Sequence, residues 1–158
     1  MKSFQAHIAP LQEKIYRLCL AYTGHPQDAE DLRQEALYRA FRAFENFKQQ
    51  SSFDTWMYRI TVNCCLSWLQ KHNNEKHMQV FDSRLEQEIQ SANTHLDPEV
   101  QALLECIQQL KEVDRLLIEL SLEGYKHKEI AEIMHMSHSA VSVRIHRIKD
   151  TLKTCMEL

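Results

Sequence analysis

Apolar residues recur along this chain at intervals of three and four, so the pattern predicts helices from one end to the other. Ile8, Leu11, Ile15, Leu18 and Tyr22 predict one helix from Phe4 to Tyr22, stopped by Thr23-Gly24-His25-Pro26. A second helix starts at Pro26, whose missing N–H does no harm in a first turn, with Asp28, Glu30 and Asp31 at the positive end of its dipole. Its buried side is Ala29, Leu32, Ala36, Ala40, Phe44 and Phe47, and it is expected to run to about Asn46. A third helix follows residues 48–52 and fades near Lys71, with Phe53, Trp56, Met57, Ile60 and Cys64 as its inward stripe.

The period then weakens. Residues 73–96 are polar and acidic, and apart from Phe81, Leu85 and Ile89 at spacing four they read as a flexible linker. Those three residues are read either as a helix that docks on a partner or as a short solvated helix. Order resumes at Asp97-Pro98, a cap followed by proline at the first helical position. Helices from Pro98 to Leu110 and from Glu112 to Leu122 precede Glu123-Gly124-Tyr125. The last pair is the most specific: Ile130, Ala131, Ile133 and Met134 on a short helix, a corner at His135-Met136-Ser137, then Val141, Ile145, Ile148 and Leu152 on a longer one. Ser137 is placed to cap the longer helix, and His135 stands where a left-handed backbone is needed. The expected fold is all-α: two small helical domains, 1–72 and 97–158, joined by the 73–96 linker, with a helix-turn-helix in the second.

Composition narrows the class. With 2 Gly and 3 Pro in 158 residues, 44% apolar and 26% charged, the chain is an ordinary globular helix former. No apolar run is long enough to span a bilayer and the opening residues lack a secretion signal, so no membrane insertion and a cytoplasmic location are expected. Five cysteines, odd in number and including adjacent Cys64 and Cys65, give no disulfide frame and are expected to be reduced core thiols. Nine histidines carry no zinc spacing, and no metal or cofactor is expected.

The net charge of −3 divides unevenly: +2 over residues 1–72, −3 over 73–98 and −2 over 99–158. Within the last segment the long helix is basic, Arg144, Arg147, Lys149 and Lys153 facing one acid, Asp150. That face suits phosphates. His138, Ser139, Ser142, Val143 and His146 lie off the apolar stripe, mostly toward the helix start, the end that enters a major groove. On the third helix Tyr58, Arg59, Val62, Asn63, Ser67, Gln70 and Lys71 are placed outside the core stripe, a mixture of aromatic plane, amide and positive charge that suits unpaired bases. Trp56 is read as core, and Trp68 is left open. On the second helix Asp31, Gln34, Glu35 and Tyr38 share a side off the Ala36/Ala40 stripe and offer acceptors to a basic partner.

Asp28–Phe41 (DAEDLRQEALYRAF), Phe53–Asn63 (FDTWMYRITVN) and the spaced set Leu110, Leu120, Glu123-Gly124-Tyr125, Glu129-Ile130-Ala131 and Val141-x-x-Arg144 together resemble the extracytoplasmic-function type of bacterial RNA polymerase sigma factor. The resemblance covers nearly the whole chain. It implies core RNA polymerase, promoter DNA and an anti-sigma protein as partners. It assigns polymerase binding to Asp31, Gln34, Glu35 and Tyr38. Minus-ten contact and melting fall to Tyr58, Arg59, Asn63, Ser67 and Lys71, and minus-thirty-five reading to Ser137, His138, Ser139, Ser142, Arg144, His146 and Arg147. By the same resemblance Asn63 and the loop between Phe47 and Phe53 would hold a flipped base. The sequence departs from the family where an Asp and paired Arg are common, here Ser67, Gln70 and Lys71. It departs again where Gly-Thr-Val-Lys-Ser is common, here residues 139–143, so the promoter read cannot be borrowed from relatives. No phosphate loop, nucleophile elbow or paired-carboxylate site is present, and the chain is not expected to be an enzyme. Two other readings stay open: a dimeric helix-turn-helix regulator acting without polymerase, and a helical adaptor that has lost DNA binding.

Overall fold

The computed structural model describes residues 3–73 and 97–158. Eight α-helices are defined among them: α1 (Phe4–Ile8), α2 (Gln12–Thr23), α3 (Pro26–Ala43), α4 (Phe53–Asn73), α5 (Pro98–Gln108), α6 (Glu112–Leu122), α7 (His127–Met134) and α8 (His138–Glu157). No strand occurs among the described residues. Phe81, Leu85 and Ile89, and the linker reading apart from its first residue, lie outside them.

The first predicted helix is broken in two. Pro10 has no N–H to donate and its ring crowds the preceding turn, so the chain tightens into a 3-10 turn at Ala9–Leu11 before α2 begins. Gly24, left-handed at φ 69°, ends α2 by donating its N–H to the Leu20 carbonyl at 2.8 Å. Pro26 opens α3, which gives way to a 3-10 turn at Phe44–Asn46. Ser52 starts α4, its Oγ accepting the Thr55 N–H at 3.1 Å. Asp97 does the same for α5 through the Glu99 N–H at 3.0 Å.

Helices α2, α3 and α4 pack around Ile15, Leu18, Cys19, Ala29, Ala36, Ala40, Met57 and Cys65, all buried. Small residues on α3 let it lie close against α2. Around Leu116, Leu117, Leu120, Ile130, Ile133, Val141, Ile145 and Ile148 the helices α5 to α8 form a second core. The two cores are continuous: α6 lies on α2, and α7 lies on α4.

That contact corrects the reading of α4. Tyr58 and Val62, placed by their period outside the core, are 1% and 0% exposed. Phe53, Trp56 and Ile60 of the inward stripe are only half-buried. The reason is that α4 is covered on two sides, by α2 and α3 on one and by α7 on the other, so it has no single apolar stripe. Trp56 stacks in an aromatic cluster, 4.8 Å from Phe47 and 5.5 Å from Phe53 between ring centres. Trp68 packs edge-on to Tyr22 at 6.3 Å.

The thiols need a second correction. Cys106 of α5 and Cys155 of α8 form a disulfide with Cα atoms 6.0 Å apart, while Cys19, Cys64 and Cys65 are free and buried. Sequence spacing could not reveal this pair, because two helices 49 residues apart meet only through the second core. Burial pushes the Cys64 thiol up to about 11, and Cys65 is also raised, by a hydrogen bond with the free Cys19 thiol and by burial.

Candidate polymerase and nucleic-acid interfaces

On α3, Asp31, Gln34, Glu35 and Tyr38 all reach solvent. Local bonds hold them in an ordered strip: Gln27 donates to Asp31 at 3.2 Å, Gln34 to Glu30 at 3.1 Å, and Arg39 to Glu35 at 2.7 Å. Bonds from Arg33 and Gln34 hold the Glu30 carboxyl below its usual range, so it stays ionised. Tyr38 is 58% exposed with the Arg42 guanidinium 5.7 Å over its ring. Next to it Phe41 is 64% exposed, an apolar ring that the sequence reading assigned no role. Its spacing of three from Tyr38 is the signal that finds it. The strip therefore joins acceptors to an exposed aromatic end, the mixture that anchors protein contacts.

On α4 the nominated residues separate. Asn63, Ser67 and Lys71 are exposed and Arg59 is half-buried, but Tyr58 is enclosed. Its ring lies 5.3 Å edge-on from that of Tyr125, in the turn before α7. Burial and the neighbouring Tyr125, Glu123 and Asp54 raise the Tyr58 phenol far above its ordinary value. Tyr58 cannot stack on a base while this contact is made. The loop from Phe47 to Phe53 presents exposed Lys48, Gln49 and Gln50, with Gln49 left-handed at φ 56°.

The helix-turn-helix forms as its residues require. The Lys126 N–H donates to Glu129 at 2.8 Å to start α7. His135 takes φ 55° and ψ 41°, and the Ser137 Oγ accepts the Ala140 N–H at 3.1 Å to start α8. Ser137, His138, Ser139, His146 and Arg147 are exposed. Ser142 is half-buried, and its Oγ shares a 2.9 Å hydrogen bond with Nδ1 of His127. Arg144 departs from its expected role. Its Nε donates to Asp114 of α6 at 2.7 Å, which ties α8 to α6 and places a carboxylate beside the charge that was expected to face phosphate. Lys111, Asp114, Ser139, Val143, Arg144 and Arg147 line an 830 Å³ groove between the start of α6 and α8. Lys111 belongs to this basic rim and was not singled out by spacing, because it precedes a different helix.

Between the two helix sets runs a polar seam. Glu123 accepts from Arg17 at 3.0 Å and lies 3.8 Å from Lys14. Arg115 donates to the carbonyls of Gln108, Leu110 and Tyr22, at 3.2, 3.1 and 2.9 Å, satisfying carbonyls at the ends of α5 and α2 together. Desolvation lowers the Arg115 pKa, the expected cost of a guanidinium held away from water. Among the described residues no group of three or more His, Cys, Asp and Glu could hold a metal ion, and no helix is long and apolar enough to cross a membrane.

A family model described as Sigma-70 region 2 matches residues 8–75, and one described as Sigma-70, region 4 matches residues 100–152. The ECF RNA polymerase sigma factor SigG of Mycobacterium tuberculosis is 45% identical over 67 residues, which are 42% of this chain and 18% of that protein. The chain thus spans less than a fifth of that relative. The RNA polymerase sigma-H factor of Pseudomonas aeruginosa is 28% identical over 168 residues, covering 99% of this chain and 87% of its own length. Among solved structures, the sigma factor RpoE of Bartonella quintana, in complex with the anti-sigma factor NepR, superposes with a TM-score of 0.78 at 17% identity. The match covers 100% of this chain and 99% of that one. With both regions present in order and the fold shared along its length, this chain belongs to the sigma-70 family, as an extracytoplasmic-function sigma factor.

Proposed function

We propose that the chain is an alternative sigma factor that binds core RNA polymerase and directs initiation at a particular promoter class. Residues 1–72 form the unit that grips polymerase and opens the minus-ten element, 97–158 the unit that reads the minus-thirty-five duplex, and 73–96 the joint between them. Polymerase capture rests on Asp31, Gln34, Glu35 and Tyr38, extended by Phe41. Strand opening rests on Arg59, Asn63, Ser67 and Lys71, joined by Tyr58 once the seam has parted. Duplex reading rests on Ser137, His138, Ser139, Ser142, His146 and Arg147, with Arg144 holding the reading helix in place. The observation that carries this reading is the presence of an exposed acceptor-and-aromatic strip on α3 and a basic helix-turn-helix on α8 in one short chain. Tethering both to one polymerase raises the effective concentration of each at its DNA element, so neither needs high affinity alone.

The chain performs no chemistry itself in this reading, works in the cytosol beside the nucleoid, and is held in check by an anti-sigma protein, as the Bartonella relative is paired with one. Adding the purified chain to core polymerase tests the proposal. Promoter-specific transcripts are expected. Tight binding to palindromic DNA without polymerase would instead favour a dimeric regulator, and inactivity in both assays an adaptor. Glu35→Arg is expected to abolish co-purification with polymerase while leaving the helical signal unchanged.

A further inference from the structure

His127 belongs to α7, outside the reading helix, yet its Nδ1 is 2.9 Å from the Ser142 Oγ on α8. Its ring centre is also 6.2 Å from that of His138. His138 and Ser142 are one helical turn apart on the same side of α8. The three side chains therefore form one patch at the end of α8 that a major groove would receive.

A serine hydroxyl has one proton and two lone pairs, and a freely turning one bonds donor and acceptor base edges alike. The bond to His127 limits how Ser142 turns. When the unprotonated ring Nδ1 accepts the serine proton, the oxygen has only lone pairs left for the groove, whereas a donating ring would leave the hydroxyl one proton and one lone pair to offer. The first arrangement converts an indifferent contact into one that favours an exocyclic amine over a carbonyl or ring nitrogen. The bond is not needed to hold the hairpin together. Ile130, Ile133 and Met134 of α7 are already buried in the same core as Val141, Ile145 and Ile148 of α8, and α7 has its own start at Lys126 and Glu129.

We propose that His127 is a specificity-setting positioning residue: by fixing the direction of the Ser142 hydroxyl it determines which base is accepted at one position of the upstream element. This rests on the sigma-factor reading above. The test uses the full chain bound to core polymerase and a promoter library randomised across the upstream element, selected by transcription. Wild type is expected to favour one base class at a single position by about tenfold, the scale of one good directed contact. His127→Phe and Ser142→Ala should each flatten that same position, their combination should flatten it no further, and His127→Asn, which keeps a polar atom near Nδ1, should restore part of the preference. The minus-ten preference and the amount of polymerase bound should not change in any of these variants, which separates positioning from a folding defect. An unchanged library profile for His127→Phe, or flattening at a different position from Ser142→Ala, overturns the inference while leaving the sigma-factor reading intact. Wild type that selects no upstream sequence overturns both.

Discussion

The Tyr125 hydroxyl donates to the Asp54 carboxylate at 3.4 Å, bridging the turn before the helix-turn-helix to the first turn of α4, 71 positions earlier. Burial, together with the charge of Asp54, pushes the Tyr125 phenol up to about 12, so it remains a donor throughout the physiological range. This bond, the Tyr58–Tyr125 ring contact and the Glu123 ion pairs form the seam that encloses a residue nominated for DNA. Opening the seam is therefore a condition for Tyr58 to meet a base.

Glu123→Lys places a cation beside Arg17 and Lys14 and turns attraction into repulsion. Arg17 is half exposed, so the lost pair alone is worth about 1 kcal/mol or less. The seam should nevertheless loosen, since the reversal adds a cost that the native pair does not have. Small-angle X-ray scattering is expected to show a larger radius of gyration with an unchanged far-ultraviolet circular dichroism spectrum. Identical scattering would mean that apolar contact alone keeps the two helix sets together.

Arg144 and Arg147 carry the same charge but should differ in salt dependence. Arg147→Ala removes a free phosphate partner and should reduce the slope of log affinity against log salt by about 0.9. Arg144→Ala should leave the slope nearly unchanged, because Asp114 already neutralises that side chain. Asp114→Asn should steepen it by about 0.9 by releasing Arg144. Fluorescence anisotropy with a labelled upstream duplex, read across a salt series, checks all three.

Reducing the Cys106–Cys155 disulfide should destabilise the helix set that contains the reading helix. The bond closes a span of 49 residues, for which chain entropy alone gives about 4 kcal/mol. Thermal unfolding with and without a thiol reductant is expected to differ by about 10 °C. Cys106→Ser should unfold at the lower temperature in both conditions, and insensitivity of the wild type to reductant would refute the link.

Glu119 gives the seam a pH dependence. Burial raises its pKa, the nearby Glu123 raises it further, and Arg17 partly offsets both. A carboxyl whose folded value lies above its unfolded one binds its proton more tightly when folded. Its contribution is therefore full below the unfolded value near 4.5 and is lost as pH rises through the folded one. Glu119→Gln should be more stable than wild type at pH 8 and show a smaller difference at pH 4, read by urea unfolding at both values. Equal differences at the two pH values would remove Glu119 as the cause.

Periodicity and capping chemistry act within a few residues, and for that reason they were readable in advance. The helical character of the chain, the stop at Gly24, the starts at Pro26 and Asp97, the left-handed His135 and the Ser137 cap each depend on the residue itself and its immediate neighbours. The exposed strip of Asp31, Glu35 and Tyr38 was readable on the same basis, because a helix with a dense apolar stripe leaves its opposite side to solvent. Tertiary structure decided whatever depends on two distant segments meeting. It enclosed Tyr58 and Val62 under the turn at Tyr125, joined Cys106 to Cys155, turned Arg144 toward Asp114 and set His127 against Ser142. No local rule distinguishes an aromatic that awaits a base from one that awaits another helix, since burial of either lowers the free energy by the same physics and only the arrangement of the whole chain supplies the partner.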